Sequence, residues 1–266
     1  MLHRVKKHLL PLGISFGLFG LFVVATYGIL AVLNHSYFGH GLSTTIIWGQ
    51  VALGVFIYLK TAVDYALFVG SLMEFNAGIP RRIAMNAGTS IGCFVGVTFI
   101  AVLWSFFREI RWLMAILLVV AGMILFKLGD GSRQHFEDVH PWLKKPLHVF
   151  FDMMRPIVRV FTFFMPNTEL SAGALSVGKL FVLSMIIPFA LGADDLAGYM
   201  VLLSATNIFS LLIGIYLGDA IIDAALFMNQ ELTVKIVKNR WVSYLGALFF
   251  IGLGALSIFH AIHLFF

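Results

Sequence analysis

IPFALGADDLAGYMVLLS, residues 187–204, is apolar apart from two adjacent carboxylates, Asp194 and Asp195, near its middle. An acidic pair inside such a run raises the question of what surrounds it. The whole chain has the same character: 60% of its 266 residues are hydrophobic and only 12% charged, with a mean hydropathy of +0.96. Values of this kind lie outside the range of soluble domains and indicate an integral membrane protein. Its single cysteine, Cys93, can form neither an internal disulfide nor a thiolate metal cage. Oxygen ligands remain as the available site chemistry.

A bilayer core requires roughly 20 apolar residues per helix, and such runs occur at about 9–33, 45–73, 83–107, 112–128, 180–206, 208–229 and 241–266. The expectation is an all-α integral membrane protein with seven transmembrane helices. Basic residues lead into the first run, but it is too long for a signal-peptide core and reads as a retained helix. With the N-terminus cytoplasmic, fifteen of the 18 Lys and Arg residues fall on the cytoplasmic side and two, Arg108 and Arg111, outside. The remaining one, Lys60, lies in the second span. This bias predicts an N-inside, C-outside topology, in which the basic balance serves membrane lipid and requires no nucleic acid.

Residues 146–167 are apolar enough to suggest an eighth span but include His148, Asp152, Arg155, Pro156 and Arg159. Those groups are costly in lipid, so a helix lying in the cytoplasmic interface is the expectation. The polar stretch before it, with His135, Glu137, Asp138 and His140, matches no specific metal spacing and reads as a solvated loop.

When the second span is laid on the fifth, VDYALFVGSLM falls over ADDLAGYMVLL and Asp64 falls on Asp194, an offset of 130 residues (194 − 64). Without a gap, the same register places Gly88 on Gly218, Thr89 on Asp219, Cys93 on Asp223 and Gly122 on Gly252. The chain therefore reads as a duplicated three-helix unit. Three helices is an odd number, so the copies have opposite orientations, an inverted three-plus-three repeat with an extra N-terminal helix. The organisation is 1–40, the N-terminal helix; 41–128, the first repeat; 129–178, a cytoplasmic loop with an interfacial helix; and 179–266, the second repeat. Gly13, Gly17 and Gly20 of the first helix suit close packing against another helix, within the molecule or across a homodimer.

Five carboxylates fall within spans: Asp64, Asp194, Asp195, Asp219 and Asp223. Each costs on the order of 2.5 to 3.5 kcal/mol at a helix centre. Protonation, pairing with a base, or coordination of a cation in a wet cavity could offset that cost. Lys60, four residues before Asp64, can neutralise only one acid, and a local ion pair is its plainest role. Asp219 and Asp223 project from one helical face a turn apart. Asp194 and Asp195 diverge by roughly 100° on a regular helix, so both can face one ion only where the helix is locally unwound. Pro188 and Gly192 permit this. The acids together with Asn86, Thr89 or Ser90 would give a hard oxygen site for a transported divalent cation such as Mn²⁺, Mg²⁺ or Ca²⁺. Met73, Met85 and Met200 could add a thioether favouring Mn²⁺ or Cd²⁺, although methionine in such helices is more often packing. Acids buried in hydrocarbon also exchange protons, which makes metal-for-proton antiport the natural coupling.

A span bearing small-apolar-Asp-polar in each repeat, AVDYAL at 62–67 and GADDLA at 192–197, resembles the lysine exporter superfamily in its cation branch. That branch comprises the TerC, manganese-exporter and cadmium-resistance families. The resemblance implies metal export across a bacterial inner membrane with no tightly bound cofactor. It also implies that Asp64 and Asp194 are repeat-related ligands with Asp195 beside them. Tyr65 stands where TerC-like chains usually have Asn, and Asp219 and Asp223 belong to no pattern of the family. Amino-acid export is the runner-up. An intramembrane aspartyl protease is disfavoured, because Asp64-Tyr65 reverses its Tyr-Asp order and Leu217 precedes Gly218-Asp219. No enzymatic activity is expected.

Overall fold

The computed structural model describes residues 2–35, 41–76, 78–107, 110–130, 175–191, 193–237 and 239–265. Among them the regular structure is helical, with no strand. The helices are α1 (Leu2–Leu33), α2 (Trp48–Thr61), α3 (Val63–Phe75), α4 (Ile79–Phe107), α5 (Arg111–Asp130), α6 (Val177–Leu191), α7 (Ala193–Ala205), α8 (Ile208–Val237) and α9 (Arg240–Phe265). Three segments are individually long and apolar enough to cross a membrane: Leu12–Leu33, Ile79–Phe106 and Ile208–Ile236. Shorter apolar helices accompany them at Trp112–Met123, Val177–Pro188 and Leu248–His263.

The expected second span, 45–73, is not one helix. It is α2 and α3, which meet at 60° and pass as a span only together. Ala62 has φ −70° and ψ 12°, a twist that redirects the chain without breaking local hydrogen bonding, since its N–H still reaches the Tyr58 carbonyl at 2.8 Å. Lys60 therefore closes one helix while Asp64 opens the next, and their four-residue spacing no longer places them on one straight face. The expected fifth span, 180–206, also consists of two helices: α6 runs through Pro188 to Leu191, and α7 begins at Ala193. In α8 a non-helical residue, Asn229, with φ −154° and ψ 87°, ends the straight segment. Its side-chain oxygen accepts the Leu232 N–H at 3.1 Å and so caps a short second segment. The proposed interfacial helix at 146–167 and the loop histidines lie outside the described residues.

The chain divides into two compact units. One comprises Met1–Ala101, Leu170–Gly192 and Thr206–Ile236; the other comprises Val102–Glu169, Ala193–Ala205 and Val237–Phe266. In lipid, apolar side chains gain little by leaving their surroundings, so helices associate through close backbone packing and hydrogen bonds. The first unit shows both. A Cβ on Gly214 of α8 would lie 2.2 Å from the Val51 carbonyl oxygen and 2.8 Å from the Gly54 Cα, so only glycine permits the crossing of α2 and α8. Gly92 does the same for α4 against α6, where a Cβ would stand 2.2 Å from the Met185 carbonyl oxygen. At the start of α8, Ser210 receives the Ile47 N–H at 2.9 Å and donates to the Thr45 carbonyl at 3.0 Å. Burial ranks the helices: 78% of the apolar α8 window is buried against 17% of the α1 window, so α8 is central and α1 peripheral. In the second unit α5 packs along α9 and against α7, and Ser257 donates to the Leu118 carbonyl at 2.6 Å.

Candidate functional site

The central helix of the first unit carries the buried acids. Asp219 and Asp223 are 3% and 0% exposed, and their four-residue spacing on α8 places them on one face, a turn apart. Each is met by a tyrosine from the broken helix pair opposite. The Tyr58 hydroxyl, on α2, donates to Asp219 Oδ1, and the Tyr65 hydroxyl, on α3, donates to Asp223 Oδ1. The bend at Ala62 thus lies between the two tyrosines, and the acids engage both arms of the break.

From α4, the Thr89 and Ser90 hydroxyls reach Asp223 Oδ2 at 3.0 and 2.8 Å. Asp223 consequently accepts from three hydroxyls. All four named donors are neutral, so these hydroxyl dipoles solvate the acids without cancelling their charge. Thr89 has one hydroxyl proton and three acceptors in reach: Asp223 Oδ2, the Met85 carbonyl at 2.9 Å and the Asn86 carbonyl at 2.8 Å. When that proton turns to its own backbone, the hydroxyl lone pair is free to accept one from Asp223.

Asn86 lies on the same face of α4, three and four residues before Thr89 and Ser90. It is fully buried, and its Nδ2 donates to Ser15 Oγ of α1 at 3.0 Å. Asn86 Oδ1 and Ser184 Oγ, both buried, have no hydrogen-bond partner among the described residues. Buried oxygens of this kind demand a donor or a cation.

Of the residues singled out from sequence, Thr89, Asp219 and Asp223 come together, with Ser90, and Asn86 stands one turn away. Asp64 lies in the first turn of α3, and Asp194 and Asp195 in the first turn of α7. The side chains of these three lie outside the described residues, and so does their expected convergence. Met73 and Met85 are fully buried. Among the described residues no group of three His, Cys, Asp or Glu side chains assembles, so the site offers two carboxylates supplemented by hydroxyl and amide oxygens. Tyr58 and Tyr65 were not anticipated from sequence. Their signal is that a tyrosine in an apolar helix needs a partner for its hydroxyl, and both lie on the span that faces the acids. Comparison with protein-family models, curated proteins and solved structures gives no match.

Proposed function

We propose that this chain is a secondary active transporter that exports a divalent metal cation, Mn²⁺ or a similar ion, in exchange for protons. The observation that carries the reading is the buried Asp219–Asp223 pair, enclosed by hydroxyls from α2, α3 and α4. A structural role alone leaves two adjacent buried acids without a purpose, given what each costs in lipid. As a site, the pair offers hard oxygens to a small cation, and its hydroxyls can turn their lone pairs inward when the ion arrives. The same acids hold protons once the ion has left, so occupancy by metal and by protons is mutually exclusive. Asp64, Asp194 and Asp195 contribute further carboxylates in this reading, and Asn86 an amide oxygen.

The proposed architecture has seven spans, an extra first helix and two inverted three-helix repeats. The helix bounds support it. Val63–Phe75 and Ala193–Ala205 differ by 130 at both ends, and Trp48–Thr61 and Val177–Leu191 both end one residue before a break in the span. Helices broken near the middle of a span are where transporters of this type place their ion sites. The reading includes membership of the cation branch of the lysine exporter superfamily, residence in a bacterial inner membrane and a cytoplasmic N-terminus.

Reconstituted protein tests it. Mn²⁺ uptake into proteoliposomes under a pH gradient is expected from the wild type and to be lost in Asp223→Ala and in Asp64→Ala. Uptake unchanged in both variants would remove the basis of the proposal. A melting assay with Mn²⁺, Cd²⁺, Ca²⁺ and lysine separates the runner-up: stabilisation by lysine alone assigns the chain to amino-acid export.

A further inference from the structure

Polar side chains that the cation site leaves unused are arranged along one seam of the first unit. α4 and α8 run antiparallel, and their contacts step along the pair: Thr98 with the Tyr216 hydroxyl at 2.7 Å, Thr89 and Ser90 with Asp223 at 3.0 and 2.8 Å, and Arg82 Nη2 with Gln230 Oε1 at 3.4 Å. Asp219 falls on α8 between Tyr216 and Asp223, and Asn86 falls on α4 between Ser90 and Arg82. Polar groups thus recur at about one helical turn, roughly 5 to 6 Å, from Tyr216 to Gln230.

The two ends differ. At Tyr216 the file closes: the phenol is fully buried, Thr26 of α1 donates to it at 3.3 Å, and Phe22 and Phe94 stack beside it with ring centroids 4.5 Å apart. At the other end Arg82 and Gln230 are half-buried and Asn229 is exposed.

Asn86 makes this more than a row of packed polar residues. Its Nδ2 is held by Ser15, which fixes the amide, and its Oδ1 is buried without a donor among the described residues, one turn from Asp223. A donor that fits there, such as water, is within one step of the carboxylate. Resting on the transporter reading for its purpose, we infer that the α4–α8 seam is the proton path, entered at Arg82 and Gln230 and ending on Asp223 and Asp219. Each transfer breaks one O–H bond and forms another. A hydrated proton at Asn86 Oδ1 passes to the Asp223 carboxylate, which becomes a neutral acid and leaves water behind. Thr89 then directs its own proton to the Met85 carbonyl and accepts the new one in a hydrogen bond. Asn86 is a positioning residue, because it orients the donor and carries no proton itself.

The test uses full-length protein in proteoliposomes enclosing a pH-sensitive dye, with three readouts: Mn²⁺-driven proton flux, Mn²⁺–Mn²⁺ exchange at uniform pH, and the melting midpoint. Asn86→Leu is expected to lower proton flux by about a hundred-fold, the scale of a lost positioned proton transfer, while exchange persists. Ser15→Ala lowers flux less, and Asn86→Gln restores part of it. Wild-type flux in Asn86→Leu overturns the inference, as does an equal loss of flux and exchange in both Asn86→Leu and Ser15→Ala. If Asn86→Leu fails to fold, Ser15→Ala decides, and unchanged flux in it overturns the inference. Should the wild type move no Mn²⁺ in either assay, yet show Asn86-dependent proton flux under an imposed potassium diffusion potential, the cation reading fails and the proton path stands.

Discussion

At the scale of single residues, the candidate site separates what stabilises the protein from what it does. Asp223 accepts from Tyr65, Thr89 and Ser90, so Asp223→Asn removes a buried charge while keeping shape and most hydrogen bonds. Uncharged replacements of buried ionic groups are often neutral or stabilising. The expected outcome is a melting midpoint equal to or above that of the wild type, with transport abolished; a large fall in the midpoint would assign Asp223 to structure. Tyr65→Phe removes one hydroxyl donor and is expected to cost about 1 kcal/mol, read as a modest shift in chemical denaturation. The pairing of Asp219 with Asp223 was legible in sequence, because a four-residue spacing on a helix admits one geometry. Their tyrosine partners were not, since a ring in an apolar span signals packing as readily as a hydrogen bond, and no local rule pairs Tyr58 with a residue on α8.

Helices add a constraint that side chains alone do not express. The α2–α8 and α4–α6 crossings bring backbone against backbone, so an added methyl has nowhere to go: at Gly214 and Gly92 it would meet a carbonyl oxygen at 2.2 Å. Gly214→Ala and Gly92→Ala are each expected to destabilise by about 1 to 3 kcal/mol or more through overpacking. Gly17→Ala, at a position with nothing within 4 Å, is expected to be neutral or to gain up to about 1 kcal/mol from helix propensity. Melting of the three purified variants checks the contrast, and an equal response in all three would remove the crossings as a source of stability. The break after Leu191 was legible through Pro188 and Gly192. That at Ala62 was not, because Ala62 and its neighbours carry no proline, glycine or capping side chain, and only its 130-residue offset from Gly192 hinted at it.

Across the whole molecule, the charge bias and the apolar runs bear on one prediction, the sidedness of the chain. Three described helices cross on length and composition alone, the α2–α3 pair passes as a fourth span, and α5, α6 with α7, and α9 complete seven in the proposed count. An odd count puts the termini on opposite sides. It also gives the two repeats opposite orientations, as alternating exposure of a central site to the two sides of the membrane requires. The basic residues that would hold the cytoplasmic side include Arg81 and Arg82 at the start of α4 and Lys235 near the end of α8, which belong to opposite repeats. A reporter fluorescent only in the cytoplasm is therefore expected to be active at the N-terminus and silent at the C-terminus, and a phosphatase active only outside to show the reverse. Replacing Arg4, Lys6 and Lys7 together with neutral residues should weaken this bias and yield mixed orientation. Both termini on one side would make the span count even, leave the repeats parallel and remove the inverted architecture from the transport proposal, while the oxygen cluster on α8 would still need a function.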